Sequence, residues 1–338
     1  MSQIFRAAAL GAVIFLFALP AAAKPVQLDL MHGWKNVSGY RKAAISSYKG
    51  IVHLEGAIQT SGTDDAPFVV PAAFRPPAEI AVKLSLCNAT NGHLIINADG
   101  TTLVQAEHDF SDAQCFTSLD GVSYSLDGYK NVTLENGWKP YGFSFGHPAA
   151  KAVNGIVHLQ GAMKGGKTDV AFVLPPQMRP LSSVFLPVDM VNRENGRIEV
   201  ATDGTVSVAA EDEFQTAKEF TSLDGAFFAL GTTGFTPLTL AGGWTGGPFG
   251  TAEPAARVDH GVVELQGAVE NTSSTGTLIF TLPVGFRPAK AVAVPVDMCN
   301  ATNGKLAIDP SGAVSVQAES DFANAACFTS LDGVSFHL

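Results

Sequence analysis

The chain has 338 residues, 21 basic against 31 acidic, and a formal net charge of −10. The balance is acidic and no Lys/Arg cluster interrupts it, which excludes nucleic acid as a ligand because phosphate neutralisation needs a basic face. Anionic membrane surfaces are disfavoured for the same reason.

Residues 1–23 read as a secretory signal peptide. Arg6 supplies the positive start, Ala7 to Leu19 the apolar core, and Ala21-Ala22-Ala23 a small-residue cleavage site. The apolar run is shorter than the roughly 20 residues that a membrane span needs. The mature chain, with no membrane insertion after cleavage, is therefore expected to be secreted or periplasmic.

From residue 24 onward one unit is written three times, over 24–128, 129–234 and 235–338. Each copy opens on Gly-Trp (Trp34, Trp138, Trp244). A strand-like phrase follows, starting at Gly50, Gly155 and Gly261, and then an Arg-Pro step at Arg75, Arg179 and Arg287. Each copy closes on Phe-Thr-Ser-Leu-Asp-Gly, from Phe116, Phe220 and Phe328. The period suits a complete small domain, not a solenoid repeat.

Within each copy the grammar is β. Gly155 to Gly161 alternates so that Val157 and Leu159 share one face while His158 and Gln160 take the other, as in a half-buried strand. Turn signals recur at Asp99-Gly100, Asp203-Gly204 and Ser311-Gly312, and again at Asp120-Gly121, Asp224-Gly225 and Asp332-Gly333. The pattern predicts about eight strands per copy, no helix of note, and an all-β sandwich or jelly-roll-like architecture. Joins of only a few residues force neighbouring copies to touch.

The four cysteines fall at two equivalent pairs, Cys87 with Cys115 and Cys299 with Cys327, while copy two has Val191 and Glu219 in their place. Joint loss is what bonded pairs predict, since an orphan thiol is a liability in an oxidising compartment. Two Cys per copy without matched histidines make a poor zinc site, and no metal or cofactor is expected.

The phrase Gly276-Thr277-Leu278-Ile279-Phe280-Thr281-Leu282-Pro283-Val284-Gly285-Phe286-Arg287-Pro288, read with the upstream Gly-Trp and the closing Ser-Leu-Asp-Gly-Val-Ser-Phe, resembles the head domain of bacteriophage tail-fibre and receptor-binding proteins. The resemblance implies a β-sandwich or jelly-roll head, assembled as a trimer, that binds host-surface glycans. Three fused copies would then form a pseudo-threefold monomer. Copy two departs from the phrase at Leu174-Pro175-Pro176-Gln177-Met178-Arg179-Pro180.

Several constellations invite chemistry. Gly161 to Thr168 matches the phosphate-loop pattern, yet a strand follows it where that loop needs a helix. His53, His158 and Glu264 are equivalent and read as exposed strand residues. Acidic pairs two apart, Glu107/Asp109, Glu211/Glu213 and Glu319/Asp321, would share a strand face and read as a solvated edge, with a cation site or a glycosidase pair as alternatives. Trp34, Trp138 and Trp244 could plug a core or stack on a sugar. Arg75, Arg179 and Arg287, with Asp120, Asp224 and Asp332, read as structural: each Arg is expected on a carboxylate or a loop carbonyl. The loops Asn88 to Asn91, Asn192 to Asn195 and Asn300 to Asn303 are the candidate ligand contacts, because Asn offers sugar hydroxyls both donor and acceptor. The function expected from all this is non-enzymatic recognition of a glycan or cell-surface receptor. A structural module binding only protein, and a glycan hydrolase, are the alternatives.

Overall fold

The computed structural model describes residues 24–271 and 276–338; the signal-like segment 1–23 lies outside them. The described chain is mostly β, in small antiparallel sheets. Copy two shows the plan. One sheet takes Lys130–Asn131, Ala149–Val153, Ile156–Gln160 and Phe227–Ala229. A second takes Trp138–Pro140, Ala162–Gly165 and Thr221–Ser222, and a third Val170–Val173, Thr205–Ala210, Asn195–Val200 and Val184–Asp189. Copies one and three repeat it, except that in copy one the edge strand of the third sheet shrinks to a single bridge, Val69 to Thr101.

Alternation decides what each strand buries. Val157 and Leu159 enter the core of copy two with Phe172, Leu186 and Ile198, and the matching Val52 and Leu54, or Val263 and Leu265, enter theirs. Apolar area removed from water, at roughly 25 cal/mol per Å², holds each core together.

Two sequence expectations need correction here. Each copy contains a short α-helix, Phe110–Cys115, Phe214–Glu219 and Phe322–Cys327. Six residues are under two turns, too few for a helical period to be legible. The acidic pairs accordingly do not share a strand face. The preceding strands stop at Ala106, Ala210 and Ala318. Asp109 and Asp321 cap the helices, accepting from the backbone N–H of Ser111 and Ala323 at 2.8 and 2.9 Å.

Every extended ladder stays within one copy, but the copies interlock. The strands Ile80–Ser85, Val184–Asp189 and Val292–Asp297 touch one another pairwise, which places them around a common pseudo-threefold axis. Hydrogen bonds run round the ring. Ser118 donates to Ala293 O at 2.6 Å, Ser222 to Ala81 O at 2.7 Å, and Ser330 to Phe185 O at 2.7 Å.

The closing phrase thus has a role for each letter. In copy two, Phe220 packs against copy one and Thr221 donates to Ala217 O at the helix end, 2.8 Å away. Ser222 bonds across the boundary and Leu223 is core. Asp224 accepts from Gly161 N at 2.8 Å and from Ala81 N of copy one at 3.2 Å. Gly225 sits at φ +80°, where a Cβ would stand 2.6 Å from Val82 Cγ1 of copy one, so any side chain would collide.

Cys87–Cys115 and Cys299–Cys327 are disulfide-bonded, each with Cα atoms 5.8 Å apart. Among the described residues no helix is long and apolar enough to cross a membrane.

Candidate functional site

Where neighbouring copies meet, a groove forms between the third sheet of one and the closing Phe of the next. Between copies two and three it has about 530 Å³ of space and is lined by Phe185, Arg197 and Glu199 on one side and Phe249, Asn300 and Phe328 on the other. Strand alternation puts Arg197 and Glu199 on the same face of Asn195–Val200. The Arg197 guanidinium lies 5.0 Å over the Phe185 ring and 3.5 Å from Asp297 Oδ2 of copy three. Phe328 meets Phe185 edge-on at 5.1 Å and Phe249 at 5.7 Å.

Phe249 is the unusual member. It is 64% exposed and takes a left-handed backbone, φ +55°, costly for a residue with a Cβ. Its neighbours Gly247 and Gly250 are left-handed too, and the turn holds the ring outward. The arrangement offers an aromatic face beside a guanidinium, a carboxylate and an amide, which is the mixture of apolar wall and few placed polar groups that binding sites use.

The other two boundaries fill the same space differently. Between copies one and two, Tyr141 and Phe145 stack edge-on against Phe220 at 4.8 and 5.3 Å and close the groove. Between copies three and one, Tyr40 lies 5.0 Å from Phe116 and Lys305 caps that ring at 5.5 Å.

The candidate Asn loops split into two sets. Asn88, Asn192 and Asn300 are exposed at φ +55°, +58° and +59°, and only Asn300 lines the open groove. Asn91, Asn195 and Asn303 are a correction: they are buried between copies. Asn91 donates to Arg193 O at 2.5 Å, Asn195 to Ala301 O, and Asn303 to Ala89 O at 2.7 Å, one bond across each boundary. A side chain committed in this way is closed to a ligand.

The tryptophans also stand away from any sugar. Trp34, Trp138 and Trp244 are buried, and their indole N–H groups donate to Asp64 O, Thr168 O and Gly276 O at 2.9, 2.9 and 3.1 Å. Arg75, Arg179 and Arg287 donate through Nε to the loop carbonyls of Val70, Leu174 and Leu282 at 3.1, 3.0 and 2.8 Å. Asp120 and Asp332 accept from Gly56 N and Gly267 N at 2.9 and 3.1 Å. Burial pushes the carboxyls of Asp120, Asp224 and Asp332 up to about 7, 6 and 7.

His53 and His158 are the second correction. They do leave the core face, but that face turns onto a chamber shared with the other copies; His158 is 7% exposed and His53 half-buried. Both line one chamber with Glu264, their equivalent in copy three. Among the described residues the one cluster with metal-ligand spacing is Glu107, His108 and Glu319, half-buried to exposed; acidic surface groups commonly cluster without an ion.

Phe249 and Arg197 escaped sequence reasoning. Phe143 stands at the Phe249 position of copy two, also left-handed (φ +56°) and exposed, while copy one has Gly39 there, so an aromatic five residues after the Trp in two copies was the available signal. Arg197 is matched by His93 and Lys305. Comparison with protein-family models, curated proteins and solved structures finds no significant match to this chain.

Proposed function

We propose that the chain is a non-enzymatic binding protein of an oxidising compartment, recognising a glycan or another cell-surface partner through the groove between copies two and three. The observation that carries this reading is Phe249, held outward in a strained backbone beside Arg197, Glu199 and Asn300. Strain of about 1–2 kcal/mol persists at functional positions when it aims a side chain. A sugar ring would lay its apolar face on Phe249 or Phe328 and present hydroxyls to the guanidinium, carboxylate and amide. The two disulfides suit export to such a compartment.

The test is a glycan array probed with residues 24–338, followed by titration of the hits. Phe249→Ala and Asn300→Ala should each weaken binding about tenfold or more with the fold intact. An array without hits, or hits untouched by Phe249→Ala, overturns the groove reading.

A second reading, a structural module that binds only protein, is favoured by the burial of all three tryptophans. It predicts that Phe249→Ala abolishes capture of a protein partner while every glycan fails to bind.

A further inference from the structure

Away from the groove, the inner faces of the strands Ile51–Glu55, Ile156–Gln160 and Val262–Gln266 converge on a chamber of about 240 Å³. That is room for roughly eight waters at about 30 Å³ each, below the 300 Å³ or so at which pockets for drug-sized ligands begin. Hairpin tips from the three copies meet beside it: Lys49 Nζ donates to Asn154 Oδ1 at 2.6 Å, and Asn154 Nδ2 to Asp259 at 2.8 Å. Tyr48 stacks on His260, ring centroids 3.6 Å apart, on the lining.

The charges of the lining are paired among themselves. Arg257 holds Glu264 through Nε and donates through Nη1 to Asn154 O at 3.0 Å. Arg41 lies 3.5 Å from Glu55 and donates through Nη2 to Leu338 O. Asp259 is met by His260. The side chains of the lining thus set two guanidiniums against three carboxylates, an excess of one negative charge, beside the His260 imidazole.

Hydrogen-bonding capacity remains over instead. Glu55 is 4% exposed, yet its Oε2 accepts no hydrogen bond from any described residue, standing 3.4 Å from His337 Nδ1. Arg41 Nε and Arg257 Nη2 likewise donate to no described residue. His53 and His158 make no hydrogen bond to any described residue, and burial holds both imidazoles neutral, down to about 3. A neutral imidazole offers one donor and one acceptor. Buried polar groups left unmade cost about 1–3 kcal/mol each, and such a group calls for a partner.

The copies differ at this face as well. Their core-facing residues stay Val and Leu, whereas the inward positions read His53, His158, Glu264 and Glu55, Gln160, Gln266.

We propose that this chamber binds one neutral monosaccharide, whose hydroxyls are donor and acceptor at once and match a lining of paired charges and free imidazoles. The proposal stands on residues separate from the groove and does not rest on it. The sugar's hydroxyls bridge His53 and His158 and reach the unpaired edges of Glu55 and Arg257.

The test is titration of residues 24–338 with glucose, galactose, mannose and N-acetylglucosamine, followed by calorimetry and by the imidazole Cε1–H signals in NMR. One sugar per chain should bind and move the His53 and His158 signals. His53→Leu and His158→Leu should each weaken binding at least tenfold, while Phe249→Ala leaves it unchanged. Signals that stay fixed up to tens of millimolar sugar overturn the proposal on the unmodified protein, whatever the variants do. So does binding that survives both His substitutions, or a site that prefers a charged sugar, an amino acid or Zn²⁺ over every neutral sugar. Loss of binding in Phe249→Ala with His158→Leu unaffected would move the site to the groove.

Discussion

Lys83 of copy one donates its ammonium to the side-chain oxygen of Asn195 in copy two. It also donates to Asn91 at 2.5 Å, so one cation ties two members of the Asn ring, at a position where the other copies carry Pro187 and Pro295. Burial lowers the Lys83 ammonium to about 8, against the pull of Glu107, Glu319, Asp189 and Glu211.

Replacing Lys83 with Met should cost about 1–3 kcal/mol at pH 7, because two buried amide oxygens lose their donor. The sign of the pH effect follows from linkage. Between 8 and 10.5 the unfolded chain binds the proton that the folded one has released, so the native protein gains stability as pH rises. Lys83→Met lacks this gain. Urea melts at pH 7 and pH 10 should show the gap between the two proteins widening; a constant gap would contradict the buried cation.

Gly225→Ala should destabilise by about 2–4 kcal/mol, combining a left-handed backbone with a clash against Val82 of the neighbouring copy. Gly333→Ala should cost less, because its Cβ would meet Leu186 Cδ2, the tip of a side chain, at 3.1 Å. Thermal melts of the two variants rank them directly, and equal losses would mean that backbone strain alone is responsible.

The buried histidines should make the protein acid-sensitive. His53, His158 and His337 are held at about 3, 3 and 4 by burial, below the ordinary 6.5. Their contribution is complete above pH 6.5 and is lost as pH falls through about 4 for His337 and about 3 for His53 and His158. The buried Asp120, Asp224 and Asp332 act oppositely: raised from 3.8, they stabilise most below pH 4 and lose that effect as pH rises to about 7. Single variants separate the two. Relative to wild type, His158→Leu should gain stability on acidification from 6.5 to 4.5, by at most about 1.4 kcal/mol per pH unit. Asp332→Asn should gain on the opposite excursion, from 4 to 7. Melting temperatures across pH 4–7 that move in parallel for all three proteins would refute the assignment.

Intact mass spectrometry under native conditions should find no alkylatable thiol. Each disulfide spans 28 residues, a loop worth about 3–4 kcal/mol on the chain-entropy account. Reduction should lower the melting temperature, and Cys87→Ala/Cys115→Ala should reproduce part of the loss.

The sequence made the repeat, the β grammar and the cysteine pairing legible because each is local or periodic. It also marked Ser118, Asp120 and Gly121 with their equivalents as residues of the fold, since all three copies keep them. What it could not supply was the covering of a strand's second face. Alternation separated His158 from Val157, but period two says only that two faces differ, and the polar face here meets another copy. Asn88 and Asn91 show the same limit: three positions apart in one tight turn, one points to solvent and the other across a boundary. The groove stayed invisible because it is made where two copies meet, by Arg197 of copy two and Phe249 of copy three, and the pattern within one copy does not say which residues of another it will face.

The ring of inter-copy bonds also has a seam. Short stretches of backbone join copy one to two and two to three, whereas copies three and one are joined only by contacts such as Ser118 to Ala293 and Asn303 to Ala89. A chain that parts there exposes two surfaces that fit each other. A second opened chain carries the same two, so exchanging third copies closes both rings and yields a domain-swapped dimer with every native bond restored. The fusion that secures two joints leaves the third to concentration.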